Sequence, residues 1–140
     1  MLRKVFELMD GPKQACNEQR KVLIVEPEQT LARELQDIVE KLGAVVVGPE
    51  QCIDRPVDIL KDGSVAAALF DTDLRSEDLS ALATSCQKHR IPFALITKYG
   101  NFEFCDPALQ AAPRVYKPLD GTSVRTIVTR ALHDRLACAD

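Results

Sequence analysis

The sequence lacks any apolar run that approaches the roughly 20 residues needed to span a bilayer. Its first residues, MLRKVFELMDGPK, also lack the basic-then-apolar build of a signal peptide. An excess of basic charge is absent too, because 18 Lys and Arg stand against 21 Asp and Glu, for a net charge of −3. A general nucleic-acid binder is therefore not expected. We expect a cytoplasmic protein that binds neither membrane nor nucleic acid.

The cysteines lack the pattern of a disulfide framework or a zinc site. There are five, an odd number, and they are widely scattered with no C-x-x-C pair. Together with only two histidines, His89 and His133, they do not reproduce the spacing of zinc ligands. We therefore expect reduced thiols that act as small core or surface residues.

What the sequence does contain, from Lys21 onward, is a regular alternation of apolar runs and amphipathic segments. Five strands are predicted at KVLIV, AVVVG, SVAAALF, PFALIT and RVY. Helices are predicted at EQTLARELQDIVEKLG, IDRPVDILKDG, EDLSALATSCQKH and GTSVRTIVTRALHDRLA, with a broken helix in NFEFCDPALQAA. Strands that are apolar throughout and alternate with helices indicate a parallel sheet covered on both faces. With 140 residues, one α/β domain over residues 21–137 is predicted.

Residues 1–20 differ from this pattern and are interpreted as an N-terminal extension. Leu2, Val5, Phe6 and Met9 recur at helical spacing. A short amphipathic helix is therefore predicted before Gly11-Pro12 stops it. Such a helix either docks a partner or packs on its own domain.

Polar and charged residues follow four of the predicted strands. In sheets of this kind, ligands bind just beyond the carboxyl ends of the strands. The residues at these ends are Glu26-Pro27-Glu28, Asp71-Thr72-Asp73, Thr97-Lys98 and Lys117-Pro118. The pattern gathers two acidic groups, a hydroxyl and an amine at one edge of the sheet.

These residue types suit phosphoryl chemistry. A carboxylate can attack phosphorus and form an acyl phosphate. The phosphoryl group is negatively charged, so such sites use Mg²⁺ held by one or two carboxylates and several waters, with cations and donors on the phosphoryl oxygens. Asp71 is the candidate nucleophile and Glu26 an acid near the metal. Thr97 would donate a hydroxyl, and Lys117 would pair with Asp71 or its phosphate.

With these motifs in this order, residues 21–136 resemble the receiver domain of two-component response regulators. VLIVEPE resembles the acidic-pair strand of that family, ALFDTDL its phosphoacceptor strand, PFALIT its Thr/Ser strand and VYKPLD its Lys-Pro. PFALITKYG is also similar to the fourth-strand signature of single-domain receivers that partner HWE-type histidine kinases in alphaproteobacteria. The resemblance implies a doubly wound, five-stranded parallel sheet of the flavodoxin-like (βα)5 type.

The resemblance also implies a function. A histidine kinase or phosphotransfer protein would transfer a phosphoryl group to Asp71, and a conformational output would follow. Mg²⁺ would be held by Glu26, Asp71 and the backbone carbonyl of Asp73, with Glu28 as a further candidate ligand. The chain would not be an enzyme beyond accepting this group.

The expected output is by protein contact. Because the sequence ends about four residues after the last predicted helix, we expect a stand-alone receiver. Its expected contacts are a downstream protein and a second copy in a homodimer.

One departure from the family pattern concerns the metal. Pro27 stands where the family has a second acidic residue that binds the metal directly. Mg²⁺ tolerates water in its coordination shell, so weaker binding is expected rather than loss. Pro27 also fixes the backbone that would have to deliver Glu28.

Two further departures lie on the last two strands. Lys98 follows Thr97 where the family usually has a small residue, and a long cation there either crowds the site or supplies positive charge. The aromatic switch residue of the family lies three positions before the lysine, which here is Arg114. Tyr116 is expected to point to the opposite face, since side chains alternate along a strand.

Three alternatives accompany the leading hypothesis. A degenerate pseudo-receiver would act as a constitutive binding module, as Pro27 suggests. A phosphatase of the haloacid-dehalogenase type would use Asp71 as nucleophile and Asp73 as acid/base, since FDTDL also resembles its D-x-D motif. A flavodoxin-like nucleotide- or flavin-binding domain is less favoured, because no G-x-G-x-x-G or G-x-x-x-x-G-K-[ST] loop occurs.

Overall fold

The fold comes from a computed structural model that describes residues 20–98 and 106–138, with side chains up to residue 133. The strands are β1 (Lys21–Val25), β2 (Val45–Glu50), β3 (Val65–Asp71), β4 (Phe93–Thr97) and β5 (Arg114–Tyr116). The helices are α1 (Gln29–Lys41), α2 (Asp54–Lys61), α3 (Ser76–Lys88), α4 (Pro107–Ala111) and α5 (Gly121–Cys138). The predicted N-terminal helix lies outside the described residues, so it stays a prediction, as do the proposed domain boundaries.

The five strands form one sheet in the order β2-β1-β3-β4-β5, and every pair of neighbours is parallel. The chain therefore winds outward from β1 to β2, crosses back to β3, and continues to β5. This arrangement confirms the predicted doubly wound α/β fold. The carboxyl ends of β1 and β3 adjoin at the crossover, which is where such sheets place their ligand sites.

Both faces of the sheet are covered by helices because the central strands are apolar on both sides. In β1, Val22 and Ile24 pack with α1 and α5, whereas Leu23 and Val25 pack with α2, α3 and α4. All four side chains are fully buried. Burying each contributes about 1.5–3 kcal/mol, so the uninterrupted apolar run holds β1 at the centre of the sheet.

The amphipathic faces predicted for the first and last helices are the faces that pack. Leu35 and Val39 of α1, and Val124, Val128 and Leu132 of α5, are buried in the same core cluster. The 3.6-residue period of the helix brings these positions onto one side. Gly43 ends the first helical segment with a φ of +90°, as its position in the sequence predicts.

Strand β2 differs from its prediction. It was expected to end at Gly48, but it continues through Pro49 to Glu50. The pairing with β1 is irregular here, since Leu23 pairs with Val47 but Val25 pairs with Glu50. The backbone N–H of Glu26 donates to the carbonyl of Glu50 over 2.9 Å. This local irregularity extends the hydrogen bonding of β2 to the first acidic residue of the candidate site.

The irregular pairing of β2 with β1 is sterically possible because residue 48 is glycine. Replacing Gly48 is therefore expected to lower the stability of the fold by a large amount. Gly48 has a φ of +95°, and an added Cβ would lie 2.7 Å from the Glu50 nitrogen and 3.1 Å from the Ile24 carbonyl oxygen. We expect Gly48→Ala to lower the free energy of unfolding by roughly 3 kcal/mol, from backbone strain plus the clash. Urea denaturation measures this change.

Gly63→Ala is the matched control for that variant. Gly63 also has a positive φ, +77°, but an added Cβ would meet nothing within 4 Å. It should cost about 1 kcal/mol from the backbone conformation alone. Equal losses for Gly48→Ala and Gly63→Ala would show that the close approach of β2 to β1 is not rigid.

Candidate functional site

The structure brings Glu26, Asp71, Thr97 and Lys117 to one edge of the sheet. Asp71 ends β3 and lies in register with Ile96, the residue before Thr97. Thr97 ends β4 and lies in register with Tyr116, the residue before Lys117. Because all strands run the same way, the four chain positions at their carboxyl ends are neighbours.

Asp71 is the centre of the site. Its side chain has no solvent exposure. Oδ1 accepts a hydrogen bond of 2.6 Å from the backbone N–H of Asp73. Oδ2 lies 2.7 Å from the Lys117 ammonium nitrogen, Nζ. The Lys117 contact is therefore a close ion pair inside the fold.

Glu26 lies beside Asp71 and is also buried, with 1% of its surface exposed. Its Oε2 accepts from the backbone N–H of Glu28 over 3.1 Å. Its Oε1 is buried with no hydrogen-bond donor among the described residues. Burial, followed by a hydrogen bond to Asp71 and the charge of Asp71, raises the pKa of Glu26 to about 8. A proton on Glu26 supplies the donor that two facing carboxylates would lack.

Lys117 lies between the carboxylates of Asp71 and Asp73. Its Nζ lies 2.7 Å from Asp71 Oδ2 and 3.7 Å from Asp73 Oδ2. Burial by itself would lower the pKa of Lys117, but the hydrogen bond and charge of Asp71, with smaller contributions from Glu26 and Asp73, raise it above its usual value. The ammonium is therefore charged at neutral pH and neutralises the carboxylate of Asp71.

Thr97 and Lys98 continue the site along β4. Thr97 is fully buried, and its carbonyl accepts from the backbone N–H of Lys117 over 2.9 Å. Lys98, the next residue, is exposed. The side chain of Thr97 is thus buried in the interior, whereas Lys98 is on the solvent side.

The donor set for Mg²⁺ contains two converging carboxylates. Glu26 and Asp71 face each other, and the orphaned Glu26 Oε1 is an oxygen that a cation would satisfy. Glu28 is exposed and reaches Glu26 only through its backbone N–H. Among the described side chains, those of residues 20–98 and 106–133, no three Asp, Glu, His or Cys groups are arranged to hold a metal ion. The residues present therefore fit Mg²⁺ only in the form in which two carboxylates and several waters bind it.

The structure corrects one expectation about β5. Val115 is buried, and it stands between the half-buried Arg114 and the exposed Tyr116. Arg114 and Tyr116 therefore share a face, because residues two apart in a strand point the same way. The expectation that Tyr116 points to the face opposite the aromatic switch position was wrong. The 48% exposed side chain of Tyr116 lies on the face of Arg114, one step nearer the site.

Glu50, at the end of β2, is a residue beside the site that the sequence did not predict. The carbonyl of Glu50 accepts from the Glu26 backbone, and its side chain lies 3.6 Å from the Arg55 guanidinium. Glu50 thus supports the backbone of Glu26, while its own side chain pairs with Arg55. The available signal was its position just beyond the predicted strand AVVVG, from which only Pro49 separates it.

No protein-family model matches the sequence, and no curated protein matches it. Solved structures do match. The response regulator PhyR from Brucella abortus is 22% identical with a TM-score of 0.70, over 86% of this chain and 51% of that one. The chain therefore spans about half the length of that PhyR.

Two other similar structures are closer to this chain in length. The signal receiver domain of an HD domain-containing protein from Pseudomonas fluorescens Pf-5 is 15% identical with a TM-score of 0.71, over 86% of this chain and 99% of that one. SdrG from Pseudomonas melonis Fr1, in its BeF3-activated conformation, is 26% identical with a TM-score of 0.62, over 80% of this chain and 95% of that one. The chain thus has the receiver-domain fold that its motifs predict.

Among residues 20–98 and 106–138, no helix is both long and apolar enough to cross a bilayer.

Proposed function

We propose that this chain, with its receiver-domain fold, is a signalling receiver that accepts a phosphoryl group at Asp71 and passes the signal on by protein contact. The observation that carries the proposal is the buried Asp71 carboxylate with the Lys117 ammonium 2.7 Å from it. A buried carboxylate whose cation comes from another strand is a costly arrangement for stability alone. It suits a nucleophile that becomes an anionic acyl phosphate, because Lys117 can then neutralise the phosphoryl oxygens.

The proposed transfer involves one bond exchange. A carboxylate oxygen of Asp71 attacks the phosphorus of a kinase phosphohistidine, an acyl phosphate forms, and the electron pair of the broken P–N bond returns to the imidazole. Lys117 then pairs with the phosphoryl oxygens, and the Thr97 hydroxyl donates to one of them. The proposed partner is a histidine kinase or a phosphotransfer protein. The similarity of PFALITKYG to the fourth strand of receivers that partner HWE-type kinases favours a kinase of that type.

Glu26 and Asp71 would hold Mg²⁺ in this proposal. When bound, the ion supplies positive charge that offsets the charge of the phosphoryl oxygens. With Pro27 in place of a second acidic residue, and with Glu26 retaining a proton at neutral pH, the affinity for Mg²⁺ is expected to be low. The same observations support the second candidate, a pseudo-receiver that binds its partner without being phosphorylated.

The test is a titration followed by amide chemical shifts. Mg²⁺ is added first, then beryllofluoride, a mimic of the phosphoryl group, with Asp71→Ala as the control. Saturable shifts at Asp71, Thr97 and Lys117 that vanish in the control would establish a working phosphoacceptor. A flat response at millimolar Mg²⁺ would favour the pseudo-receiver. Turnover of a generic phosphate ester would instead favour the phosphatase that uses Asp71 and Asp73.

A gain-of-function variant tests the role assigned to Pro27. Pro27→Asp restores a second carboxylate beside Glu26, so we expect Mg²⁺ to bind about ten-fold more tightly, because each added charged ligand raises affinity. The Mg²⁺ titration measures this. Pro113→Asp is the matched control, since Pro113 is exposed between α4 and β5. Equal affinities for both variants and the unmodified chain would show that the backbone at residue 27 cannot deliver a ligand.

A further inference from the structure

The side chain of Asp73 has a contact that the proposed function does not use. Its Oδ2 lies 3.7 Å from Lys117 Nζ, while the backbone N–H of the same residue donates to Asp71 Oδ1. Asp73 therefore reaches Asp71 in two ways, directly through its backbone and indirectly through Lys117. Only the indirect path depends on the carboxylate.

We propose that the Asp73 carboxylate is a positioning residue that shares Lys117 with Asp71 and so restrains acceptance of the phosphoryl group. This inference rests on the proposed function of Asp71. Lys117 has one positive charge and two carboxylates within 4 Å. One of these carboxylates, Asp71, is fully buried, whereas 47% of the Asp73 side chain is exposed at the opening of the site.

The restraint has two electrostatic causes. Lys117 must pair with the new phosphoryl oxygens when Asp71 is modified, and Asp73 competes for the same ammonium. The negative charge of Asp73 also repels the incoming anion. Because Asp73 is half exposed, water screens both effects, so their combined size is modest.

The test compares beryllofluoride affinity at saturating Mg²⁺ in four chains: unmodified, Asp73→Asn, Asp73→Glu and Asp58→Asn. Asp73→Asn keeps the backbone N–H on Asp71 and removes only the charge. It should tighten binding about three- to ten-fold. Asp73→Glu keeps the negative charge, so it should tighten binding less than Asp73→Asn does. Asp58 is exposed on α2, so Asp58→Asn makes the same charge change away from the site and should leave the affinity unchanged.

A second readout separates this inference from the function it rests on. The ¹⁵N resonance of the Lys117 ammonium is recorded without beryllofluoride, and it should shift in Asp73→Asn but not in Asp58→Asn. If the unmodified chain does not bind beryllofluoride, the proposed function fails, while a shifted Lys117 resonance still supports sharing of the lysine. An unshifted Lys117 resonance would overturn the inference. If the unmodified chain does bind beryllofluoride, equal or weaker binding by Asp73→Asn would overturn it too.

Discussion

Replacing Lys117 with methionine is expected to lower the free energy of unfolding by about 3 kcal/mol, because it leaves a buried carboxylate without its cation. Asp71 has no solvent exposure, and only 15% of the Lys117 side chain is exposed. Water therefore cannot replace the ammonium at 2.7 Å from Asp71 Oδ2. Methionine keeps a similar length and apolar stem, so the change isolates the charge. Urea denaturation at pH 7 measures the loss.

Two further variants test the cause of this loss. Lys88→Met removes an exposed lysine from the last turn of α3 and should change stability by less than about 0.5 kcal/mol. The double variant Asp71→Asn with Lys117→Met removes both charges, so it should recover much of the stability lost by Lys117→Met alone. If the double variant is no more stable than Lys117→Met, packing of the lysine stem, rather than the pairing of charges, holds the two strands together here.

The second large effect is a decrease in stability with rising pH that originates at Glu26. Its pKa is about 8 in the folded chain, against an ordinary value of 4.5. Between these values the folded state keeps a proton on Glu26 that the unfolded state has lost. The contribution of this group is therefore fully present below pH 4.5, and it decreases by about 1.4 kcal/mol per pH unit until pH 8. The total decrease is on the order of a few kcal/mol.

Glu26→Gln tests this prediction, because glutamine keeps the shape of a protonated carboxyl and cannot ionise. Unfolding free energies at pH 5 and pH 8 give the comparison. The variant should be more stable than the unmodified chain at pH 8, and the two should be similar at pH 5. Glu34→Gln, an exposed change on α1, should follow the unmodified chain at both values. Parallel pH profiles for Glu26→Gln and the unmodified chain would mean that Glu26 is ionised in the folded state throughout.

The outline of the fold was predictable because it depends on local patterns. Apolar runs of strand length alternate with segments of helical period. A parallel sheet with helices on its two faces buries the apolar strands and the apolar sides of the helices. Boundaries were less accurate where the tertiary structure decided them. Strand β2 extends past Gly48 because its backbone pairs with the residue before Glu26 and with Glu26 itself, and no local signal marks that pairing.

The site was predictable as a set of residues but not as an electrostatic arrangement. The rule that strand ends meet at one edge located Glu26, Asp71, Thr97 and Lys117. Which charges face each other depends on distances that only the folded chain defines. The protonation of Glu26 follows from its burial beside Asp71, and the shared position of Lys117 follows from two carboxylates on the same turn.

The sequence by itself thus determined the order of elements and the residues at each strand end, because the period of apolar residues reports which segments are buried. Only the tertiary structure decided how much of the Tyr116 side chain is exposed, that Glu50 supports Glu26, and that Asp73 reaches Lys117. Each of these depends on contacts between segments far apart in sequence or on the local path of one turn. Burial and charge at the site follow from those contacts, and so does its chemistry.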